Sequence, residues 1–514
     1  MTDPLQAKST RLRIILGGVL SAFLAALDTT ILATVMPTIV EELGGLSLYS
    51  WVFSVYMIMT AVSMPIWGRL CDLLGKRLLF VAAVLFFLFG SVLCGLSQNM
   101  TQLIVFRGLQ GIGAGGISAV PFALISTVFP THERGKALGV LASAWGISSI
   151  IGPLLGSLIV TSLHWRWVFY INIPIGAAAI AVIQRHYTEV ALHRRERIDY
   201  PGALLLACAI IALLLIFLYI GRGSGVLSGS VGVFALACIL FLTLFVVQER
   251  RAESPILELA FFRRRAFWVG NLLGFLVSFT MYGIIAYVPL FAQSVQGGTA
   301  VQAGLVIMPM SLAWSASSVA SGRLVSRVGE NTMIRLGMVM MTAGLLLALF
   351  IHYDSSIPYL VLCVVTVGFG MGAQTPSLML SVQHSLDQKN VGVATSTQML
   401  ARTLGGAVGV SLLGSILTGS MGLRIRELGA AGMLDRFPEP AKALFGDPQK
   451  LLGLDIRPLL SPVDLATVLS VFTDALHTVF LTGLAIIVAG LAISTSLPPS
   501  VLHRIHRPSD LNHD

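Results

Sequence analysis

Fourteen long apolar segments divide this chain, and they constrain its fold more than any other feature. Each is about 20 residues long, which an α-helix needs to cross the hydrocarbon core of a membrane. The chain is 55% hydrophobic and only 11% charged, unlike a soluble domain. We therefore predict an all-α polytopic membrane protein. The predicted helices cover 14–36, 51–67, 78–97, 102–127, 138–161, 167–184, 200–220, 229–248, 267–291, 301–321, 333–351, 357–381, 393–418 and 472–497.

The basic residues predict how these helices are oriented. If the first helix leaves from the cytoplasm, 23 of the 33 Lys and Arg fall on the cytoplasmic side and eight fall outside, six of these in one long loop at 419–470. Short cytoplasmic loops of membrane proteins carry such an excess. We therefore expect a cytoplasmic N-terminus at 1–13, a cytoplasmic tail at 498–514, and an outer loop that forms a solvated cap with short helices.

A repeated segment indicates two related halves. GRLCDLLGKR at 68–77 recurs as GRLVSRVGEN at 322–331, 254 residues later. Repeats of the same orientation predict two bundles related by an axis along the membrane normal, as in many transporters. We expect a first six-helix bundle at 14–190 and a second at 263–497 that includes the outer loop. Predicted helices 7 and 8, with their cytoplasmic linkers, form an insertion at 191–262.

Several functional classes find no support in the sequence. The net charge of +9 follows from the basic cytoplasmic side, so it does not indicate nucleic-acid binding. The sequence lacks a G-x-x-x-x-G-K-[ST] phosphate loop, a metal-ligand cluster and a recognisable catalytic triad. This argues against an ATP-driven pump, a bound cofactor or metal, and an enzyme. The five cysteines fall in or beside apolar segments without metal spacing, which is typical of small core residues.

Two charged residues lie inside the predicted spans of the first half. Asp28 is in helix 1 and Arg107 in helix 4, about 15 Å and about 10 Å below the outer surface at 1.5 Å per residue. Such residues face a bundle interior or a wet cavity and are usually functional, so we expect the two to meet or to share a cavity. Burial and a nearby guanidinium act in opposite directions on a carboxyl group. Movement of Arg107 would therefore make Asp28 a proton switch; the alternative is a salt bridge that only orders helices 1 and 4.

The repeated segment brackets an acid with glycines and cations at the inner end of helix 2. Its members are Gly68, Asp72, Gly75, Lys76 and Arg77. Glycines permit close backbone approach, so one hypothesis is a latch that docks one bundle on the other in one conformational state. The alternative is a tight turn flanked by cations that set the topology. Ser326 replaces the acid in the second copy, so the latch would be one-sided.

Helix 5 carries small residues and a proline in GISSIIGPLLGS at 146–157. The residues that define this motif are Gly146, Gly152, Pro153 and Gly156. A proline-kinked packing face is a common use of such residues in membrane bundles.

Five segments together resemble the major facilitator superfamily, and within it the fourteen-helix branch of drug:proton antiporters. The superfamily's loop 2–3 motif is similar to 68–77, and the exporter motif of helix 5 is similar to 146–157, with Ser157 where a further glycine is common. The other three matches are LDTTILATVMPTI at 27–39 with the helix 1 signature, RGLQGIGAGG at 107–116 with the helix 4 motif, and WRWVFYINIPIG at 165–176 with the helix 6 signature.

The resemblance implies proton-driven export of varied hydrophobic or cationic drugs by alternating access, without a cofactor other than the proton gradient. It implies that Asp28 is the site of protonation and cation recognition, and that Arg107 couples this charge to the transport cycle. We expect a monomer in a bacterial inner membrane, whose partners are small-molecule substrates, protons and lipids.

The rest of the substrate cavity is expected to be apolar and aromatic. Arg402 in helix 13, with Gln398 one turn before it, is either a second cavity charge or a packing anchor. The 254-residue offset places Tyr282 where Asp28 lies in the first half. The other residues proposed to contact substrate, each of which also fits a core or lipid-facing position, are Trp51, Tyr56, Phe122, Tyr287, Phe291, Trp314 and Gln374.

Two related functions stay open. A dedicated exporter of one endogenous metabolite or lipid would share this mechanism but have a selective cavity. Proton-coupled uptake is a third possibility, and the helix 5 motif argues against it.

Overall fold

The computed structural model of the protein describes residues 4–44, 48–189, 199–221, 228–253, 255–295, 300–430 and 461–499, and every regular element in them is helical. Fourteen helices are long and apolar enough to cross a membrane, which confirms the predicted all-α polytopic fold. In chain order they are α1 Pro4–Leu43, α2 Tyr49–Leu74, α3 Lys76–Gly95, α4 Met100–Val128, α5 Thr131–Ser162, α6 Trp167–His186, α7 Tyr200–Gly221, α8 Gly229–Glu249, α9 Arg265–Ser294, α10 Ala300–Val328, α11 Glu330–Ala348, α12 Ile357–His384, α13 Val391–Ala430 and α14 Pro462–Ser494.

The helices pack in two sets that repeat one pattern. In the first half the main contacts pair α2 with α4, α3 with α4, and α1 with α5; in the second half they pair α10 with α12, α11 with α12, and α9 with α13. Adding eight to the helix numbers of each first-half pair gives the corresponding pair of the second half. The repeat seen in the sequence is therefore a repeat of helix packing.

Glycines let helices within each half approach closely. A Cβ added at Gly90 of α3 would lie 2.5 Å from the backbone of Gln110 in α4, and one at Gly344 of α11 would lie 2.6 Å from Val367 in α12. Membrane helices associate through such small-residue contacts because lipid offers no hydrophobic driving force between them.

Small residues also join the two halves along α5 and α10. Gly135 of α5 lies against the backbone of Gly322 in α10, and Gly139 lies against that of Ser318. Further along α5, Ser315 Oγ donates a hydrogen bond to the Ser143 carbonyl oxygen at 3.3 Å. The two helices run in opposite directions, so these contacts form one seam from the ends of the helices to their middle.

The helix pair α7 and α8 lies over a second seam between the halves. The two helices pack on each other, and α7 also contacts α2 of the first half and α13 of the second. Leu206 and Ile210 of α7 are buried in a cluster that includes Val62 of α2 and Leu400 of α13. The pair therefore packs against both halves along one side of the molecule.

Several helices extend beyond their predicted ends, among them the two that flank the predicted outer loop. The outer loop was expected at 419–470, but α13 continues to Ala430 and α14 begins at Pro462. The end of an apolar run marks where a helix leaves the hydrocarbon core of the membrane. The helix can continue into water when its polar side chains form hydrogen bonds or salt bridges with one another. Here Arg424 Nη1 donates to Glu427 Oε2 at 2.9 Å. The middle of the predicted loop, 431–460, and the tail from 500 onwards lie outside the described residues.

Candidate functional site

Asp28 lies at the centre of a buried polar network inside the first half. Its Oδ2 accepts a hydrogen bond from Arg107 Nη1 of α4 at 2.6 Å. Its Oδ1 accepts from Gln110 Nε2 of α4 at 2.8 Å and from Asn172 Nδ2 of α6 at 3.0 Å. Asp28 is 3% exposed and Arg107 0% exposed. The two residues expected to meet do so, as a buried ion pair.

A second layer of polar groups holds the donors in place. Gln110 Oε1 accepts from Arg107 Nη1 at 2.7 Å, so the amide is oriented by the guanidinium. Asn172 Nδ2 also donates to Ser91 Oγ of α3 at 3.0 Å, and Ser91 Oγ donates to the Phe169 carbonyl oxygen at 2.8 Å. The network thus ties together α1, α3, α4 and α6.

The ring of Tyr56 in α2 covers one face of the Arg107 guanidinium. Arg107 Cζ lies 3.9 Å from the centroid of the Tyr56 ring, which stabilises a cation that is removed from water. Arg107 Nε and Nη2 form no hydrogen bond with the described residues. The charge of Arg107 is therefore balanced by Asp28 and by this ring.

This arrangement depends on the charge of Asp28. A buried ion pair is tolerated only while both charges are present, because removing one leaves the other uncompensated. Protonation of Asp28 would remove the negative charge that Arg107 faces, and would turn one carboxyl oxygen from an acceptor into a donor. Protonation of Asp28 would therefore favour a different packing of α1, α4 and α6.

The other residues predicted to contact substrate do not gather around Asp28. Phe122 is buried in a cluster that joins the halves, with Ala22 of α1 and Met379 of α12. Trp51 of α2 is half-buried. The remaining ones outside α13 lie in or against the core of the second half: Tyr282, Tyr287, Phe291, Trp314 and Gln374.

Several of these residues make packing contacts within that half. The Tyr287 hydroxyl donates to the Val410 carbonyl oxygen at 2.6 Å, and Gln374 Nε2 donates to Met341 Sδ at 2.8 Å. Trp314 Nε1 and Gln374 Oε1 are buried without a hydrogen-bond partner among the described residues.

The predicted equivalence of Tyr282 with Asp28 is wrong by two residues. The Tyr282 ring lies against Gly406 of α13, as Thr30 of α1 lies against Gly152 of α5. Thr280 faces α14 instead, where its Oγ1 donates to the Gly483 carbonyl oxygen at 3.5 Å. A shift of two residues turns a helical side chain by about 200°. The offset of the loop motif therefore does not show which residue of α9 is equivalent to a given residue of α1.

Gln398 and Arg402 form a separate polar pair on α13. Gln398 is 1% exposed, packs against Gly274 of α9, and its amide nitrogen and oxygen form no hydrogen bond with the described residues. Arg402 is half-buried and lies near Tyr282. The structure thus keeps these two residues apart from the Asp28 network.

Asp72 joins the two halves at one end of the molecule. Its Oδ1 and Oδ2 accept hydrogen bonds from the backbone N–H groups of Gly392 and Val393, both at 2.9 Å. These groups lie in the first turn of α13, where backbone donors lack helical partners and a negative charge is favoured. Lys76 Nζ lies 3.8 Å from Asp72 Oδ1. The carboxylate of one half thus caps a helix of the other.

Close backbone approach makes this cap possible. A Cβ on Gly392 would lie 2.7 Å from Asp72 Oδ1, and a Cβ on Gly68 would lie 2.7 Å from the Gly392 carbonyl oxygen. In the second copy, Ser326 Oγ donates to the Arg323 carbonyl oxygen of its own helix at 3.3 Å. The contact between the halves made by Asp72 has no counterpart at Ser326.

The rest of the repeated motif is held within the first half. Gly75 has φ 98°, in the left-handed region that favours glycine. Glu189, just after α6, accepts from the backbone N–H groups of Lys76 at 2.8 Å and Arg77 at 2.7 Å. Arg77 Nη2 donates to the Gln184 carbonyl oxygen at 2.6 Å. Glu189 therefore caps α3 as Asp72 caps α13.

Further hydrogen bonds between the halves lie near Asp72. Ser126 Oγ of α4 donates to Gln383 Oε1 of α12 at 2.6 Å. Arg134 Nη2 of α5 donates to Gln388 Oε1 at 3.0 Å, and Gln388 Nε2 donates to the Ser126 carbonyl oxygen at 3.2 Å. We call this set, together with the Asp72 cap, the interhalf closure.

The predicted exporter motif of α5 packs on two different helices. Gly146 lies against Ser315 and the Ser311 carbonyl oxygen of α10, in the other half. Gly152 and Gly156 lie against Thr30 and Thr34 of α1, in the same half, and Pro153 is half-buried. The motif therefore links α1, which carries Asp28, to the seam between the halves.

Sequence reasoning missed several members of these networks. Gln110, Gln383 and Gln388 are uncharged, and hydropathy does not separate a network amide from a packing one. Asn172 is likewise an uncharged amide in an apolar helix. Glu189 carried a usable signal, because an acid directly after a predicted helix can cap a neighbouring helix start.

Comparison with known proteins identifies the family. The model of the Major Facilitator Superfamily matches residues 18–410. The chain is 34% identical to the multidrug transporter protein MdtP of Bacillus subtilis (strain 168), over 96% of this chain and 94% of that protein. The chain belongs to the major facilitator superfamily.

Other relatives agree with this assignment. Multidrug resistance protein 3 of Bacillus subtilis (strain 168) is 33% identical, over 92% of this chain and 93% of that protein. The structure of the proton:xylose symporter XylE superposes with a TM-score of 0.62 at 14% identity, over 97% of this chain and all of the other. At that identity the likeness concerns the fold. As a member of the superfamily, the protein is an integral membrane transporter and not an enzyme.

Proposed function

We propose that this superfamily member is a proton-coupled antiporter that exports hydrophobic or cationic drugs and toxicants by alternating access. The observation that carries the proposal is the Asp28–Arg107 ion pair, 2.6 Å long and buried inside a bundle. A transporter driven by protons needs a group that binds and releases one while the protein changes conformation. Asp28 is placed to do this because its charge balances that of Arg107.

The interhalf closure supports the alternating-access part of the proposal. Hydrogen bonds that Asp72 accepts, and others that Ser126 and Arg134 donate, join the halves at one end of the molecule. The basic residues of the short loops support a cytoplasmic location for that end. We infer that the structure represents a state closed towards the cytoplasm, and that export requires the closure to open so that substrate enters from that side.

The relatives support the substrate class. Two bacterial relatives at 33–34% identity are named a multidrug transporter and a multidrug resistance protein. We infer that the chain functions as a monomer in a bacterial inner membrane with both termini in the cytoplasm, and that lipids, protons and small molecules are its partners.

Transport in proteoliposomes tests this function. In vesicles with an acidic interior, the wild-type protein should accumulate ethidium as protons leave, and an uncoupler should abolish the accumulation. Asp28→Asn should lose it, whereas Asp474→Asn, a matched change in an acid whose side chain is 46% exposed, should retain it. Gradient-independent accumulation by the wild type, or normal accumulation by Asp28→Asn, would contradict the proposal.

A growth panel separates the broad exporter from a dedicated one. Expression of the protein should raise resistance to several chemically unrelated toxicants. Resistance to a single compound, with proton coupling intact, would favour the dedicated exporter of one metabolite or lipid.

A further inference from the structure

Arg402 is a cation within a membrane-spanning helix, and the described residues include no acidic partner for it. It lies eleven residues into α13, about 16 Å from the end that Asp72 caps. It is half-buried, and it forms no hydrogen bond or salt bridge with the described residues. The guanidinium of Arg107, which also lies away from the ends of its helix, is paired with Asp28 and stacked on Tyr56.

Among its described residues, the second half offers no carboxylate at the depth of Arg402. The acids of α9 to α13 and their described connections lie at helix ends or beyond them: Glu330, Asp354, Asp387 and Glu427. In α14, Asp474 lies 3.7 Å from Arg424 at the opposite end of α13. The charge of Arg402 is thus left for something outside this half to balance.

Unpartnered polar groups surround the same face of α13. The buried amide of Gln398, one turn before Arg402, has no hydrogen-bond partner at either atom. On the facing helix α9, the Asn271 side-chain oxygen and Ser278 Oγ are also buried without a partner among the described residues. Leaving such groups unsatisfied is costly, which favours a polar ligand that is present for part of the cycle.

Arg402 lies on the side of α13 that faces α9, close to a contact between the halves. Met399, three residues earlier, packs against the cluster of Phe122 and Met379 that joins the halves. Gly406, four residues later, carries the Tyr282 ring. Arg402 therefore lies, along α13, between a contact with the other half and a contact with α9.

We propose that Arg402 and Gln398 form an anion-recognition site that takes the carboxylate of amphipathic substrates. A planar guanidinium binds a carboxylate through two parallel hydrogen bonds, and the Gln398 amide adds a donor one turn away. A bridging water would satisfy Gln398 but would not balance the charge of Arg402. This inference rests on the proposed function, since it names substrates of the same transport path: compounds with an acidic group on an apolar or cationic body.

Binding of a matched pair of dyes to the purified full-length protein tests the site. Rhodamine B carries a free carboxyl group, and its ethyl ester does not. Arg402→Gln should weaken rhodamine B binding about tenfold, measured by fluorescence anisotropy, and change ester binding less than about twofold. Arg402→Lys should recover part of the loss. Arg424→Gln, a change in an exposed arginine of the same helix, should leave both affinities unchanged.

Three results would overturn the inference. Equal loss for both dyes would assign Arg402 a structural role, and loss for neither would remove it from the site. Disappearance of the difference between the dyes on addition of phosphatidylglycerol would assign the site to a lipid phosphate. The test is separate from proton coupling. If the protein distinguishes the two dyes but shows no Asp28-dependent proton release, only the proposed function is contradicted. If proton release depends on Asp28 but the dyes bind alike, only this inference is contradicted.

Discussion

The corresponding interiors of the two halves differ in polarity although their helices pack alike. In the first half, α1, α3, α4 and α6 enclose Asp28 and its hydrogen-bonded partners. In the second half, α9, α11, α12 and α14 enclose a pocket lined by apolar residues, among them Ile284, Leu345, Val364 and Phe480. Leu345 lies 254 residues after Ser91, which is the offset of the repeated motif. An apolar side chain in the second half thus corresponds to a member of the Asp28 network in the first.

This difference indicates what the Asp28 network is for. The second half shows that this helix arrangement packs without an ion pair at its centre. A buried ion pair is weak evidence for stability, because its desolvation offsets its attraction. A network that the fold does not require is therefore better explained by a role in transport than by the ordering of α1 and α4.

The largest expected effect comes from breaking the pair in the first half. Arg107→Gln leaves Asp28 buried without its cation, so we expect a loss of about 3–5 kcal/mol in the free energy of unfolding and no transport. The double variant Asp28→Asn with Arg107→Gln should regain much of the thermal stability but not transport. Recovery of transport in the double variant would show that the pair is structural only.

A cavity in the second half should lower the stability of the protein but leave proton release intact. Leu345→Ala removes packing around the apolar pocket and should cost about 2–5 kcal/mol of unfolding free energy. Substrate-induced proton release per folded molecule should stay within about twofold of the wild type. Loss of proton release at unchanged folded fraction would show that both interiors take part in coupling.

The interhalf closure offers a comparison between the two copies of the loop motif. Asp72→Ala leaves the N–H groups of Gly392 and Val393 without their acceptor, which should weaken the closed state by about 1–3 kcal/mol. The fraction closed at this end should fall accordingly, measured as spin–spin distances between labels at Leu78 and Arg323. Ser326→Ala, the matched change in the second copy, should leave the distances unchanged; equal shifts in both variants would refute the one-sided latch.

The smallest effect is expected at the end of α1 that lies beyond the membrane span. Hydrogen bonds from Arg166 at 2.7 Å and Trp165 at 2.7 Å hold the pKa of Glu42 below its ordinary value, against the opposing effect of burial. The stabilisation is therefore present above the ordinary pKa of 4.5 and is lost as pH falls through the lower folded value. Glu42→Gln should lower the melting temperature at neutral pH by less than about 2 °C, and this difference should vanish in acid. A difference that grows in acid would contradict the assignment.

The sequence predicts the helices and the pairing of charges well, but not the directions of single side chains. Asp28 and Arg107 were expected to meet because few other charges lie at that depth. Gln110 and Asn172 were not recognised as partners of Asp28, and Tyr282 was placed two residues out of register. In apolar helices that are buried on several sides, hydropathy leaves the rotation of each helix open, and only the packed structure fixes it.

The loop motif shows the same limit. Asp72 between glycines suggested a contact between the halves, but the sequence did not reveal that its partners are backbone groups at Gly392 and Val393. Such donors exist at every helix start, so only the position of α13 selects them. The extension of α13 to Ala430 was missed because hydropathy marks the membrane boundary and not the helix end.

Substrate-induced proton release from the purified protein tests the central claim most directly. Addition of ethidium to the wild-type protein in weakly buffered detergent should release protons, detected with a pH indicator, and Asp28→Asn should release none while Asp474→Asn behaves as the wild type. Equal release from Asp28→Asn and the wild type, or no release from either, would contradict the claim that Asp28 couples substrate binding to a proton.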